Sequence, residues 1–266
     1  MESGTGSTLL LLHGLGGTWH IWKPVLDLLS ARHRVVALTL PGHLGGPALP
    51  DGVEPSVDAL ADVLEQDLRA RGIDNPHVAG NSLGGWLALE LARRGVARSV
   101  TALSPAGGWT TPEAYRRVET PFRRVFALIA VLIFLTAWLL RFAGVRRALN
   151  KQAMMHGDRM PPDEFRGAMN SLRRTAMLPA LLTSMRDKGG LRPLDAGSTP
   201  VTIAWCEHDQ VIPYETYGKP MRDRVKGAQH LIVKGVGHVP MYDDPQQVAE
   251  VILQTTARAE AMTAAP

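Results

Sequence analysis

Gly80-Asn81-Ser82-Leu83-Gly84-Gly85 sets a serine between glycines at Gly-x-Ser-x-Gly spacing. A short apolar run, residues 77–80, precedes it, and a helical pattern over 83–94 follows. Ser82 therefore falls on a strand-to-helix turn. A turn that sharp needs small residues two before and two after the serine, so that neighbouring backbone can pass close by. The hydroxyl then projects from the carboxyl edge of a sheet, beside a helix N-terminus that favours negative charge. A serine so placed attacks an electrophilic carbon once a base removes its proton.

Nine histidines are available as that base. His238 stands out because Gly235-Val236-Gly237-His238 follows the last apolar run and reaches the same sheet edge. His208 competes with it. The other histidines fall on helices, strand ends or remote loops, where packing or solvent is their ordinary fate. A base needs an orienting acid, and Glu207-His208-Asp209 supplies two carboxylates after the preceding strand. Asp209 is the chosen acid and Glu207 the competitor. The oxyanion of a tetrahedral intermediate needs N–H donors. Leu83 opens a helix and has a free amide. His13-Gly14-Leu15-Gly16-Gly17 offers a second amide, from Leu15 or in reserve Gly16. His13 is read as shaping that loop. A phosphate cradle does not fit, because the Lys-Ser/Thr ending of a P-loop and the dinucleotide fingerprint spacing are missing. Gly14, Asn81, Trp109, Val211 and Val239 are the candidate substrate contacts. Nothing in this chemistry calls for a metal or organic cofactor.

The elements that must hold these residues alternate. Apolar runs at 8–12, 34–40, 77–80, 99–103, 200–205 and 229–234 read as strands. Helical spacing appears at 22–31, 57–71, 83–94, 214–225 and 245–258. The pattern implies a parallel-rich sheet of about six strands with helices on both faces. From Trp109 to Leu191 it turns helical throughout. Residues 1–106 and 198–266 therefore read as one α/β core, split by a helical cap at 107–197.

The chain has 266 residues, 45% hydrophobic and 20% charged, enough for a full core and unlike a disordered or collagen-like chain. One cysteine, Cys206, excludes a disulfide framework and a cysteine-based zinc finger. No basic and then apolar leader follows Met1, so the expected location is the cytoplasm, with the membrane surface as a second place. Residues 107–190 hold 14 Lys/Arg against 6 Asp/Glu, whereas the net charge of the whole chain is +4. A basic segment can meet anionic lipid or simply form a solvated face. Interleaved aromatics and a nucleic-acid module are missing, so nucleic acid is not an expected partner.

These residues together resemble the α/β-hydrolase superfamily, in its serine hydrolase, carboxylesterase-like branch. The resemblance rests on His13-Gly14-Leu15-Gly16-Gly17, Pro41-Gly42-His43, Gly80-Asn81-Ser82-Leu83-Gly84-Gly85, Asp209 and Gly237-His238. It implies a Ser82–Asp209–His238 triad and a pocket between core and cap. Relatives usually carry two further strands before the His-Gly loop, whereas twelve residues precede His13 here, so a shortened N-terminus is expected. Thr39 stands where many relatives have an aspartate. A serine nucleophile excludes the dehalogenase-like branch, which uses an aspartate. Ser104 removes an alternative acid position. Gly-Asn-Ser is similar to carbon–carbon hydrolases of aromatic ring cleavage, but Val239 follows His238 where those enzymes have a tryptophan. A hydrolase of carboxylic esters with an apolar acyl or alcohol part is expected, the apolar cap motivating that preference. Carbon–carbon hydrolase, amidase, lactonase, acyltransferase, non-catalytic binding protein and membrane-associated hydrolase-like protein are the alternatives.

Residues 125–140 are apolar except Thr136, and arginines flank both ends. A helix of that length spans roughly 24 Å, short of the ~30 Å hydrocarbon core. Three readings stay open: burial between core and cap, docking on a membrane surface or lipid entrance, and a subunit interface. A second apolar run at 176–185 is a candidate pocket lining.

Overall fold

A computed structural model describes residues 1–136 and 138–264, with the side chains of 129–136 and 264 excepted. The described residues form nine strands: β1 (Glu2–Ser3), β2 (Thr8–Leu12), β3 (Arg34–Leu38), β4 (His77–Asn81), β5 (Ser99–Leu103), β6 (Leu194–Asp195), β7 (Val201–Cys206), β8 (Val225–Lys226) and β9 (Gln229–Val233). Nine α-helices accompany them: α1 (Leu26–Ser30), α2 (Val57–Ala70), α3 (Leu83–Arg93), α4 (Pro112–Thr136), α5 (Ala143–Asn150), α6 (Pro162–Arg174), α7 (Leu178–Lys188), α8 (Lys219–Arg224) and α9 (Pro245–Ala264).

The main sheet runs β1-β3-β2-β4-β5-β7-β9. All its pairings are parallel except β1 on β3. The expected six strands become seven because Glu2 and Ser3 pair with Val36 and Val35. That strand has no apolar pattern to read. Backbone pairing makes it, with the Met1 amino group donating to Ala37 O at 3.1 Å and Ala37 N returning to Met1 O at 2.9 Å, and an exposed Arg34–Glu2 ion pair beside them. A second departure is the two-residue pair β6–β8, whose β6 falls between Leu191, where the helical pattern ends, and the strand read at 200–205.

The run Thr8–Leu12 shows why the strands are apolar without alternation. Leu10 and Leu12 join Leu60, Leu64 and Leu87 from α2 and α3 on one face. Leu9 and Leu11 join Trp22, Leu29 and Ile252 on the other. Side chains alternate across a strand, so a sheet covered on both faces needs apolar residues at every position. At α2, Ser56 accepts from Ala59 N at 3.1 Å and caps the helix.

Helices α4 to α7 lie between β5 and β7 in the chain, a helical insertion between two neighbouring strands of the sheet. Much of the apolar run at 125–140 falls outside the described side chains. Val125, Leu128 and Trp138 at its ends are 43%, 56% and 59% exposed, while Leu140 is buried. Of the three open readings, burial does not hold at these exposed positions, and the middle of the run lies outside the described side chains. Among the described residues, no helix is long and apolar enough to cross a membrane.

Strand order reverses between β2 and β4, since β3 lies to one side and β5 to the other. A crevice opens there at the carboxyl ends of the strands, the place where open α/β sheets bind ligands. The loop after β2 and the turn after β4 both enter it. The glycines make the approach possible. A Cβ on Gly84 would stand 2.1 Å from Leu12 O, and one on Gly80 the same distance from Gly84 O. Backbone cannot yield as a flexible side chain can. Gly84→Ala should lose about 3 kcal/mol of unfolding free energy in urea, the upper end of an overpacking penalty. Gly45 has φ +85° and nothing within 4 Å, so Gly45→Ala should cost only about 1 kcal/mol. Equal losses would mean that α3 can back away from β2.

Candidate active site

Ser82 has φ 56° and ψ −115°, a left-handed conformation that L-residues rarely adopt. Such backbone costs of order 1–3 kcal/mol and persists only where its surroundings enforce it. Three hydrogen bonds do so: Ser82 N donates to Leu103 O at 3.0 Å, and Ser82 O accepts from Trp86 N at 3.0 Å and Ala106 N at 2.9 Å. The serine thus sits between β5 and the first turn of α3.

His238 lies after β9, and its Nδ1 donates to Asp209 Oδ2 at 2.7 Å. Both residues are buried, at 4% and 5% exposure. Asp209 Oδ1 accepts from Val211 N at 2.9 Å and Ile212 N at 2.8 Å. The carboxylate is therefore held on both oxygens, and the imidazole keeps Nε2 as its open position. Glu207 is occupied elsewhere, taking Lys234 Nζ at 2.8 Å and Gly235 N at 2.9 Å on the surface. His208 is 47% exposed beside it. Of the two carboxylates, Asp209 is the one bonded to His238, while Glu207 is bonded on the surface beside His208. Ser104 takes Cys206 N at 3.0 Å and plays no part in orienting the imidazole.

Asn81 Nδ2 donates to His238 O at 2.8 Å and Leu103 O at 3.2 Å. The residue before the serine therefore braces the histidine loop. From the β2 side, a Cβ on Gly14 would stand 3.3 Å from Ser82 Cβ, so this loop runs directly against the serine. His13 sets its shape. Leu40 N donates to His13 Nε2 at 2.9 Å, which puts the ring hydrogen on Nδ1, donating to Gly14 O at 2.7 Å. Burial holds the imidazole well below its ordinary pKa, so it stays neutral and the pattern survives. Leu15 and Gly16 follow in the loop. Leu83 buries its side chain in the core, leaving its amide at the head of α3, where helix N–H groups lack intrahelical partners.

A cavity of about 600 Å³ holds Ser82 and His238 in its wall, with Gly14, Leu15, Gly16, Asn81, Val211 and Val239. The insertion closes the far side with Phe122, Met154, Met160, Phe165, Met169 and Leu172. Of the apolar run at 176–185, none lines this cavity; Leu181 and Met185 pack into the core. Trp109 is a correction as well. It is 5% exposed and packs on Trp86 at 5.2 Å and Tyr115 at 4.9 Å, away from the cavity. Arg224 pins its stretch of backbone by donating to Gly107 O at 2.6 Å and Trp109 O at 2.9 Å.

Asp243 carries a role that the sequence pattern does not reveal. It is buried, and its Oδ2 accepts from Gly237 N at 2.8 Å and Met155 N at 2.9 Å. Its Oδ1 accepts from His156 N at 2.6 Å. One carboxylate ties the histidine loop to the insertion. No spacing signal marks such a contact, because its partners are backbone amides.

Comparison with known proteins bears on this arrangement. The model of the alpha/beta hydrolase family matches residues 9–251. The chain belongs to the alpha/beta hydrolase family. This alpha/beta hydrolase is 34% identical over 196 residues to "Epoxide hydrolase EphH" of Mycobacterium tuberculosis, covering 73% of this chain and 91% of that one. Among solved structures, a membrane phospholipase A described as a bacterial virulence factor matches with TM-score 0.75 at 23% identity, over 97% of this chain and 82% of that one. A thermophilic esterase from Thermogutta terrifontis matches with TM-score 0.72 at 21% identity, over 97% and 92%. Those structural matches speak for the fold.

The two carboxylates of the acid loop can be told apart without knowing a substrate. Asp209→Asn should slow fluorophosphonate labelling of Ser82 by roughly two orders of magnitude or more, given the ~10⁴-fold cost of the same change in a serine protease. Glu207→Gln should label within about twofold of the parent, as surface ion pairs contribute little. Mass spectrometry of the labelled protein checks both.

Proposed function

We propose that this alpha/beta hydrolase is a serine hydrolase acting on carboxylic esters with apolar acyl or alcohol groups. The observation that carries this reading is His238, held by the buried Asp209, lining a largely apolar cavity together with the left-handed Ser82. Ser82 Oγ adds to the ester carbonyl carbon while His238 Nε2 takes its proton. The amides of Leu83 and Leu15 stabilise the oxyanion, a contribution of roughly 3–4 kcal/mol per donor. Collapse expels the alcohol, protonated by His238. Water then enters by the same route and frees the acid and Ser82. Asp209 fixes the imidazole tautomer and stabilises the imidazolium.

The epoxide hydrolase relative raises a second chemistry, and the nucleophile argues against it. A carboxylate opening an epoxide gives an ester, which water can cleave. A serine oxygen opening an epoxide gives an ether, which it cannot, so the covalent route would end after one turnover. An acyl substrate leaves Ser82 as a hydrolysable ester. The carbon–carbon, amide and lactone readings share the acyl-enzyme and differ in the leaving group, which the fold does not specify.

A p-nitrophenyl ester series from acetate to decanoate tests the reading, with styrene oxide in parallel. Turnover should favour the longer, apolar acyl chains, and styrene oxide should be left untouched. Ser82→Ala should lose about a millionfold in kcat, the scale seen when a triad serine is removed. Ester hydrolysis that survives this substitution would falsify the mechanism.

A second element of the reading concerns where the ester is met. Val125, Leu128, Trp138, Phe142 and Leu149 are all exposed on the insertion. Arg124 and Arg141 are exposed among them, and Arg141 lies 4.9 Å over the Trp138 ring and 4.7 Å over Phe142. Aromatics with basic neighbours suit the interface of an anionic bilayer, where each cation near the surface contributes about 1 kcal/mol. We therefore propose peripheral contact of this face with anionic lipid. The protein should float with phosphatidylserine vesicles and stay behind with phosphatidylcholine alone. Trp138→Ser/Phe142→Ser should abolish flotation while leaving hydrolysis of soluble esters within about twofold, since neither side chain lines the cavity. Flotation unchanged in that variant overturns the assignment of the face.

A further inference from the structure

A second cluster of chemistry-bearing side chains sits at the opposite edge of the sheet. His33 lies just before β3, His77 opens β4 and Glu260 is near the end of α9. One ring nitrogen of each histidine and one Glu260 oxygen lie within 4.8 Å of one another. His33 and His77 are 2% and 1% exposed, with ring centroids 5.5 Å apart. Glu260 closes the cluster from the solvent side.

The hydrogens in this cluster do not suffice for its lone pairs. Thr256 Oγ1 donates to Leu253 O at 3.0 Å, so the 2.9 Å contact with His33 Nε2 makes that nitrogen the donor. His33 Nδ1 is then an acceptor. It lies 2.9 Å from Ser7 Oγ, whose single hydrogen is also claimed by Glu260 Oε1 at 2.8 Å. His77 Nδ1 pairs with Ser99 Oγ at 2.8 Å. His77 Nε2 has no hydrogen-bond partner although it is buried, and it stands 3.8 Å from Glu260 Oε1. A buried polar nitrogen without a partner calls for an explanation. A group that brings positive charge between the two rings and Glu260 would satisfy all of these atoms together.

We propose that His33 Nδ1, His77 Nε2 and the Glu260 carboxylate bind a divalent transition metal, zinc by ligand type, at a structural site. Two imidazoles and a carboxylate are a zinc ligand set, with Ser7 Oγ or water as fourth ligand. Tetrahedral zinc holds its ligands about 3.4 Å apart, and the 3.8 Å between His77 Nε2 and Glu260 Oε1 is close to that. The metal would join β3, β4 and α9 into one unit. Arg98 acts on His77 as a nearby positive charge and donates to Thr263 at 2.6 Å. It weakens binding and does not block the three ligand atoms. The five-residue β4 separates His77 from the turn at Ser82, so the site is remote from the ester chemistry.

The experiment is a zinc titration of chelator-treated protein carrying no histidine tag. One equivalent should bind, and the melting temperature should rise by about 5 °C at a hundredfold excess over Kd. Cobalt(II) in place of zinc should give the visible spectrum of a tetrahedral site. Glu260→Gln, at the solvent side and tolerant of change, should abolish the thermal shift, as should His77→Gln. His208→Gln should keep it, which separates this site from the surface His208–Glu207 pair. The rate of Ser82 labelling should be the same in all three variants. Failure to bind one equivalent overturns the proposal, and so does a thermal shift that persists in Glu260→Gln and His77→Gln.

Discussion

The closeness of three backbones beneath Ser82 is the constraint on which the rest of this structure depends. Gly84 of α3 rests on the Leu12 carbonyl of β2, and Gly80 of β4 rests on Gly84. No side chain fits in either gap. This contact forces the chain to reverse within one residue, and Ser82 takes the left-handed backbone that results. The strain is offset by the hydrogen bonds to Leu103, Trp86 and Ala106. The same contact brings the loop after β2 against the serine. Strand order, helix position and the alignment of amide groups all follow from one tight crossing.

A second set of interactions ties the imidazole to this crossing. Asn81 holds His238 through its carbonyl, and Asp209 holds it through Nδ1. The base is thus anchored from β4 and from the loop after β7. Neither anchor needs the insertion. His13 does similar work on the other side by joining Leu40 to the Gly14 carbonyl. Strands and their loops hold the serine and the imidazole, Asp243 adds a tether from the histidine loop to the insertion, and the insertion gives the cavity its shape.

Much of this was legible because the relevant signals are local. Gly80, Ser82 and Gly84 are spaced by a turn that cannot be built otherwise. Thr8–Leu12 and the other core strands are apolar runs because both faces of the sheet are covered. His238 and Asp209 follow from where their strands end. Trp109 departs from the expected pocket because a tryptophan near an insertion joint gives no sign of which way its ring turns; the ring packs on Trp86 and Tyr115, and Arg224 holds its backbone from far along the chain. The β1 strand is invisible because two residues carry no period. Asp243 and the His33–His77–Glu260 cluster are invisible for a different reason. Their members meet only after folding, across 88 residues between Met155 and Asp243 and 253 residues between Ser7 and Glu260.

Asp243 binds Gly237, Met155 and His156 with one carboxylate. Met154, next to two of these, lines the cavity, and Gly237 precedes the base. The backbone of 153–156 therefore cannot move without moving His238, whatever side chains it carries. Phe122 and Leu172 reach the cavity from α4 and α6 without that carboxylate tether. The cavity wall thus divides into a part whose backbone is shared with the histidine loop and a part that is not. A change of side chain at Phe122 or Leu172 would reshape the cavity and leave His238 where it is.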